Sequence, residues 1–349
     1  MKETLKAEAF NLGFCVIGFT TPDELDIHQY QNWIKNQYHA GMSYLASNDA
    51  INSRQNPEIL FPQCKTILSL GTLYQNPAQA PQPPISPTSG KIAHYAIGLD
   101  YHQVLERKAN QLMETVQSKI DFQIDWISAI DTKPLAEREL AMKAGLGWIA
   151  KNSMLTNPTF GSALFLCEIL LNISLPPDEP FQKDFCGHCT KCIDACPTNC
   201  ILPDRTIDAN KCLSYLTIEH RGVIDEKYFD TIDSSVFGCD VCIQVCPWNK
   251  KAQTNPMMRE FSPEYQNTTF DIPTNLEKIT NSFHRNFEHS AIRRAGKQGF
   301  LRNCLIRLSQ NPTKENMEII DSIVSTMPET YLVEQKKQID KYIKNKKGS

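Results

Sequence analysis

Apolar positions along the first part of the chain switch between helical and strand spacings. Glu3–Asn11 reads as a helix and Phe14–Phe19 as a short buried strand. Pro22, after Thr20 and Thr21, predicts a helix start, with the helix running through Tyr38. Lys65–Leu70 reads as a second strand. Asn76–Gly90 carries Pro77, Pro81, Pro83, Pro84 and Pro87, which predicts an irregular surface connection. Strand Lys91–Ile97, helix Tyr101–Ile120, strand Phe122–Ile130 and helix Pro134–Ala144 follow. In the second of these strands Phe122, Ile124, Trp126, Ser128 and Ile130 fall on one side.

Strands separated by helices predict an α+β chain whose N-terminal module, residues 1–178, is of α/β type. Pro176-Pro177-Asp178-Glu179-Pro180 marks a boundary. Residues 179–250 are rich in loops and cysteine. Residues 251–349 begin polar and become helical from about His289, with Leu301, Cys304, Leu305 and Leu308 forming the stripe of a packed helix. This third module reads as a linker and a short α-helical, HEAT-like region, with Lys344–Ser349 a frayed tail.

Charge alters the picture in one place. The 349 residues sum to −3, so no global basic field points to nucleic acid, yet residues 285–349 hold 13 Lys/Arg against 7 Asp/Glu. Within it, Arg285, Arg293, Arg294, Lys297, Arg302 and Arg307 face only Glu288 between positions 285 and 307. Met1-Lys2-Glu3-Thr4-Leu5-Lys6 has charges where a signal peptide needs an apolar run. The longest apolar stretch, Ser162–Ile173, contains Glu168 and is far below membrane-spanning length. A cytoplasmic protein with no membrane partner is expected.

Cysteine carries the chemistry. Nine of 13 cysteines lie between Cys186 and Cys246. Cys186, Cys189, Cys192 and Cys196-Pro197 form C-x2-C-x2-C-x3-C-P, the bacterial ferredoxin run, whose fourth cysteine serves the other cluster. The partner motif Cys239-x2-Cys242-x3-Cys246-Pro247 lacks one ligand, and Cys212 stands between the two. Cys186, Cys189, Cys192 and Cys246 are thus expected on one [4Fe–4S] cluster, and Cys196, Cys212, Cys239 and Cys242 on a second. Cys200 is spare and competes with Cys212. Structural zinc is the alternative for such spacings, though zinc motifs seldom share ligands in this crossed way. Cys15, Cys64, Cys167 and Cys304 sit in apolar contexts as small core residues, and His188 reads as a solvated loop histidine. Two clusters make an electron wire. No GxGxxG follows a strand and there is no P-loop, so neither supplies the wire's destination.

The chain resembles the epoxyqueuosine reductases, cobalamin-dependent iron–sulfur enzymes of tRNA queuosine synthesis. The resemblance spans residues 1–305 and rests on Arg54-Gln-Asn-Pro57-Glu58, Gly98-Leu-Asp100-Tyr101-His102 and Asp131-Thr132-Lys-Pro134-Leu-Ala-Glu137-Arg138. It continues through Gly145-Leu-Gly147-Trp148-Ile149-Ala-Lys151-Asn152, the cysteine run, Ser214–Glu219 and Phe237–Asn249. Lys133 stands where the family often has Gly, and Ala150 departs from its usual G-W-I-G-K-N string. The C-terminal tail is shorter than in many members. In Asp100-Tyr101-His102 the glycine expected three residues after a cobalt-ligating histidine is Leu105, so that motif offers cobalt no lower ligand.

The resemblance implies reduction of an oxirane on a wobble nucleoside to an alkene, with release of water. It implies cobalamin and two [4Fe–4S] clusters as cofactors, the anticodon region of a queuosine-type tRNA as partner, an unidentified low-potential electron donor, and a monomer. Asp131 is implied as proton donor, buried beside the corrin; the bland alternative is a helix-start carboxylate binding backbone N–H groups. Glu137 and Arg138 read as a surface ion pair. Arg54, Ala93, Asn152, Ser153, Ser214 and Asp240 join Asp131 as cobalamin contacts, with ordinary loop hydrogen bonds the alternative. Arg293, Arg294 and Lys297, with Arg221 near the Cys212 loop, would meet tRNA phosphates; a solvated basic helix is the alternative. Two rival functions stand beside this one: a related corrinoid iron–sulfur reductase of a small molecule, such as a dehalogenase, and a ferredoxin-type electron carrier.

Overall fold

In chain order the elements begin with α1 (Lys2–Asn11), β1 (Val16–Thr20), α2 (His28–Lys35), α3 (Asn48–Gln55), β2 (Thr66–Leu73) and β3 (Ser89–Ile92). Next come α4 (Tyr101–Gln117), β4 (Trp126–Ala129), α5 (Glu137–Lys143), β5 (Trp148–Ile149), β6 (Leu155–Thr156) and β7 (Leu164–Leu171). The cysteine-rich segment holds short helices α6 (Lys191–Asp194), α7 (Leu213–Ile218) and α8 (Phe229–Ile232), strand β8 (Ser235–Phe237), and α9 (Val241–Gln244) and α10 (Pro247–Lys250). Strand β9 (Thr269–Asp271) and helices α11 (Ile272–Asn286), α12 (Gly296–Ser309), α13 (Lys314–Ser325) and α14 (Leu332–Lys347) complete the order. This computed structural model describes residues 1–75, 85–253, 257–262 and 269–347. The proline-rich connection from Asn76 to Pro84 therefore lies outside the described residues.

The chain divides into two units that are not consecutive. The first comprises Met1–Gln79, Tyr101–Ala209 and Val241–Ser262; the second comprises Ala80–Asp100, Asn210–Asp240 and Pro263–Ser349. Strand pairing explains the interleaving, because β3 hydrogen-bonds in parallel to β8 and antiparallel to β9, which draws residues 85–100 into the second unit. The Pro176–Pro180 stretch packs on the first unit instead of leaving it. Asp178 donates its N–H to the Phe19 carbonyl at 2.8 Å, and its carboxylate meets Lys2 at 2.7 Å.

In the first unit, four strands in the order β1-β2-β7-β4 form a sheet whose neighbours are all antiparallel. The crossovers expected of an α/β-type module are missing from it, and the α+β reading stands. Its central strand β7 is the apolar Ser162–Ile173 stretch, buried along nearly its whole length. Burial on both faces removes the alternation that marks a strand in sequence. Helix α5 covers the face carrying Ile67, Leu164 and Leu170, contributing Leu140 and Ala141. Gly147 lets the chain after α5 run close against β6, since a Cβ there would stand 2.1 Å from the Thr156 carbonyl oxygen. The helix predicted from Pro22 starts instead at His28 and ends at Lys35.

The second unit packs α11, α13 and α14 around α12, whose Phe300, Leu301, Cys304, Leu305, Ile306 and Leu308 are fully buried. Helix α11 falls within the stretch that reads as polar, and α14 continues through the expected frayed tail to Lys347. Arg302 is fully enclosed, donating to the carbonyls of Leu216, His220 and Gly222 at 2.6–2.8 Å. Asn303 beside it donates to the carbonyls of Thr217 and Val236. These two side chains tie α12 to the α7 loop and to β8. No helix among the described residues is long and apolar enough to cross a membrane.

Candidate functional site

Strand β4 stops at Ala129, and two residues later Asp131 adopts φ +51°. The N–H of Thr132 donates to the Ile130 carbonyl, so Asp131 is the apex of a three-residue turn, a strained and rare geometry for a non-glycine residue. The turn points the carboxylate outward, with 62% of the side chain exposed where burial was expected. Tyr101 Oη donates to Asp131 Oδ2 at 2.9 Å, and His102 Nε2 lies 3.3 Å from the same oxygen. Both partners come from the first turn of α4. The Tyr101 ring is stacked on Phe165 of β7 at 4.4 Å and 10°. Asp131 does not cap a helix, for α5 begins six residues later with Ala136 at its N-cap. The helix-start alternative is therefore removed. Tyr101 and His102 were legible only as motif letters; nothing in their spacing announced that they face Asp131.

Glu137 is a correction. It is half-buried and turned away from Arg138, and its Oε1 accepts the Asp131 N–H at 2.5 Å. Burial, and after it the Asp131 charge, pushes its carboxyl up to about 8. Arg138 points elsewhere and donates to the Ser153 carbonyl at 2.6 Å. Glu168, in the middle of β7, is fully buried; Ser69 Oγ donates to its Oε1 at 3.0 Å, while its Oε2 has no partner. Burial first and Glu137 second push Glu168 well above the ordinary carboxyl range. A lone acid within the twelve-residue, largely apolar stretch Ser162–Ile173 was the sequence signal for this site.

Of the remaining residues expected at a corrinoid, three lie in the first unit. Arg54 is half-buried over the Tyr30 ring, donates to the Ala50 carbonyl and lies within electrostatic reach of Glu137. Asn152 donates to the Cys242 carbonyl at 3.3 Å, and Ser153, at φ +65°, donates through Oγ to the Arg205 carbonyl. Ala93, Ser214 and Asp240 lie in the second unit. There, Asp240 Oδ2 accepts the His94 N–H at 2.8 Å and lies 2.8 Å from His94 Nδ1, while Ala93 donates its N–H to the Phe237 carbonyl. Amide and carboxylate groups of this kind suit the amide-fringed edge of a corrin. The exposed Asp131 carboxylate, held by Tyr101 and His102, offers an acid toward a ligand.

The cysteines fit clusters in number and chemistry. No disulfide forms among them. Cys186, Cys189, Cys192 and Cys246 all lie in the first unit within electrostatic reach: after burial, Cys186 and Cys246 raise the Cys192 thiol, and Cys186 and Cys189 raise that of Cys246. Four mutually repelling thiolates are stabilised by a cationic iron core. Trp148 Nε1 lies 3.4 Å from Cys186 Sγ, and Trp248 packs edge-on against Trp148. In the second set, Cys196 and Cys242 belong to the first unit and Cys212 and Cys239 to the second. Cys200 is buried, with Sγ 3.4 Å from Cys196 Sγ; hydrogen bonding from Cys200 brings the Cys196 thiol down to about 4. Cys15, Cys64, Cys167 and Cys304 are buried as expected, and His188 is exposed.

The basic residues divide. Arg302 and Arg307 are structural, the latter donating to the Ser86 and Ser89 carbonyls. Arg294 forms a two-pronged pair with Glu219 at 2.6 and 3.0 Å, and Arg221 donates to the carbonyls of Ile218 and Arg294. Arg293 is exposed and Lys297 half-buried. Arg221 and Lys297 line a cleft of about 1020 Å³ in the second unit, together with His284, Gln298 and Tyr331. None of the residues expected at the corrinoid lines it.

Two family models match the chain: "Epoxyqueuosine reductase QueG, DUF1730" over residues 54–132, and "4Fe-4S double cluster binding domain" over residues 185–249. The epoxyqueuosine reductase of Cyclobacterium marinum is 36% identical over 309 residues, covering 86% of this chain and 94% of that protein. The epoxyqueuosine reductase structure from Streptococcus thermophilus superposes with a TM-score of 0.81 at 30% identity, covering 92% of this chain and 85% of that one. A crystal structure of epoxyqueuosine reductase with an epoxyqueuosine-modified tRNA-Tyr stem loop gives 0.80 at 29% identity, covering 98% of each. With its turn-apex aspartate, its cysteine constellation and relatives matched along nearly its whole length, the chain belongs to the epoxyqueuosine reductase family.

Proposed function

We propose that this chain reduces the epoxide of epoxyqueuosine in tRNA to the alkene of queuosine, with Asp131 as the proton donor. The overall change is two C–O bonds broken, one C=C bond formed and one water released, for two electrons and two protons. Reduction of the strained carbon–oxygen bond is the chemistry cobalamin supplies when bound, with electrons arriving through the two [4Fe–4S] clusters. Cys186, Cys189, Cys192 and Cys246 hold one cluster; Cys196, Cys212, Cys239 and Cys242 hold the other. Arg54, Ala93, Asn152, Ser153, Ser214 and Asp240 are the cobalamin contacts.

The departing oxygen is a poor leaving group as an alkoxide, so a proton must meet it. Asp131 presents an exposed carboxyl group for that purpose, and Tyr101 and His102, both on Oδ2, fix its direction. This arrangement is the observation that carries the reading. Arg221, Arg293, Arg294 and Lys297 meet phosphates of the anticodon stem loop and position the nucleoside, with the HEAT-like helices as their scaffold. A low-potential donor feeds the clusters of what we read as a cytoplasmic monomer.

The test is anaerobic reconstitution with iron, sulfide and cobalamin, chemical reduction, and incubation with epoxyqueuosine-containing tRNA. Nucleoside mass spectrometry should show queuosine. A protein that binds eight irons but takes up no cobalamin is an electron carrier, and one that binds cobalamin but leaves the tRNA unchanged acts on another substrate; either result ends the proposal.

A further inference from the structure

We propose that Glu137 is a positioning residue, a latch whose carboxyl oxygen takes the main-chain N–H of Asp131 and keeps that residue at the apex of its strained turn. The inference rests on the reading of Asp131 as the proton donor and adds to it a second residue that touches no substrate. Three observations carry it. Asp131 at φ +51°, at the apex of a three-residue turn, is in a conformation few non-glycine residues adopt. Tyr101 and His102 grip the carboxylate through Oδ2, which orients the side chain but does not fasten the main chain of the turn. The 2.5 Å contact from Asp131 N to Glu137 Oε1 supplies that hold. Glu137 opens α5, which packs against β2 and β7, so the latch is mounted on the sheet and not on a loop.

Glu168 is a second acid within electrostatic reach of the latch, and unlike Glu137 it is fully buried. On β7 it shares its face with Leu164 and Leu170, which pack under α5, and it pairs in register with Ser69 on one side and Ala129 on the other. Its unpartnered Oε2 therefore lies beneath the start of α5, where it and Glu137 feel each other's charge. Desolvation first, and the neighbouring negative charge after it, push both carboxyls toward the protonated form. Protonated or not, the Glu137 carboxyl keeps an oxygen that accepts the Asp131 N–H. The other charged and titratable groups around the pair are Asp131, Arg138 and Arg54 toward Glu137, and Cys167, whose thiol feels both acids together with Lys133 and Glu106.

Two substitutions separate a latch from a proton carrier. Glu137→Gln keeps the reach and an accepting oxygen but cannot exchange a proton. Glu137→Asp keeps the acid but is one methylene too short. In the reconstituted full-length enzyme, a latch predicts E137Q within about threefold of the parent kcat and E137D down about a hundredfold at unchanged KM for tRNA, since small misplacements cost about that much. Hydrogen–deuterium exchange adds a readout independent of turnover: the Asp131 and Thr132 amides should exchange faster in E137D and at the parent rate in E137Q. An active E137D beside an inactive E137Q overturns the latch in favour of proton transfer, and unchanged exchange in E137D overturns it outright. Asp131→Asn assayed alongside keeps the two readings apart: full activity in that variant removes Asp131 from the mechanism, whereas the exchange rates still report on the latch.

Discussion

Tyr101 reaches Asp131 from a stacked ring: its hydroxyl is 2.9 Å from Oδ2 while its ring centroid lies 4.4 Å from that of Phe165. The hydrogen bond and the stacking are separable by mutation. Tyr101→Phe keeps the ring on Phe165 and deletes only the donor. A hydrogen bond to a carboxylate is worth about 1.5–3 kcal/mol, so kcat should fall about tenfold or somewhat more. Asp131→Asn should fall by about a hundredfold to ten-thousandfold, the range for loss of a general acid. Single-turnover rates measured with equal cluster and cobalamin content check both. A Tyr101→Phe enzyme at full speed would show that the bond has no bearing on the chemistry.

The cysteine assignment makes a counting prediction. Cys246→Ser removes a thiolate from the set that gathers with Cys186, Cys189 and Cys192, and should reduce eight irons per chain to about four. Cys212→Ser should do the same to the second cluster. Cys200→Ser should retain eight irons, because Cys200 stands behind Cys196 at 3.4 Å as a hydrogen-bonding neighbour. Its removal should instead move the midpoint potential of one cluster, since hydrogen bonds to ligand sulfur tune that potential. Iron analysis with EPR-monitored titration reads both. Four irons in Cys200→Ser would place Cys200 among the ligands.

For tRNA, burial already sorts the basic residues. Arg293→Ala and Lys297→Ala should each weaken binding of the stem loop and lower the slope of log K against log salt by about one, as expected when a single phosphate is no longer neutralised. Arg302→Met should act differently, by loosening the second unit: it strips hydrogen bonds from the buried carbonyls of Leu216, His220 and Gly222, with a stability cost of about 3–5 kcal/mol. Binding isotherms at several salt concentrations and urea unfolding distinguish the two classes. A salt slope identical to the parent's in Arg293→Ala removes that residue from the interface.

These outcomes track what could be read from the sequence. The cysteine run and the Asp131 motif announce themselves because thiolate spacing and a short string of letters are local. Strand β7 did not, because burial on both faces erased its alternation, and its one irregularity, Glu168, signals a site without naming its partner. Glu137 looked like a surface residue since a Glu-Arg pair at a helix start usually is one; only the packing of α5 on the sheet turns it inward. Arg302 and Arg307 inflated the basic patch for the same reason. A count of charges cannot distinguish a guanidinium facing solvent from one enclosed by carbonyls. The α/β-type reading failed on connectivity: helices separate the strands in sequence, yet every neighbouring pair in the first unit's sheet runs antiparallel.

The two acids also fix how stability should depend on pH. Both Glu137 and Glu168 have folded-state values raised above the ordinary 4.5, by burial first, so the folded state binds more protons than the unfolded chain above that pH. Their contribution is therefore fully present below about 4.5 and is lost as pH rises through the raised value, which for Glu137 is about 8. Between those limits the pair should lower stability with every unit of pH, against the trend set by a carboxylate such as Asp230, which the Tyr342 hydrogen bond holds below its ordinary range. Glu168→Gln keeps the volume and the Ser69 hydrogen bond but has no proton to lose. The variant should match the parent near pH 5 and unfold at a higher temperature than the parent near pH 8, with a flatter slope between. Thermal unfolding at a series of pH values measures this directly. Parallel curves for the two proteins would mean that Glu168 does not stay protonated in the fold, and would leave its enclosed Oε2 without a physical account.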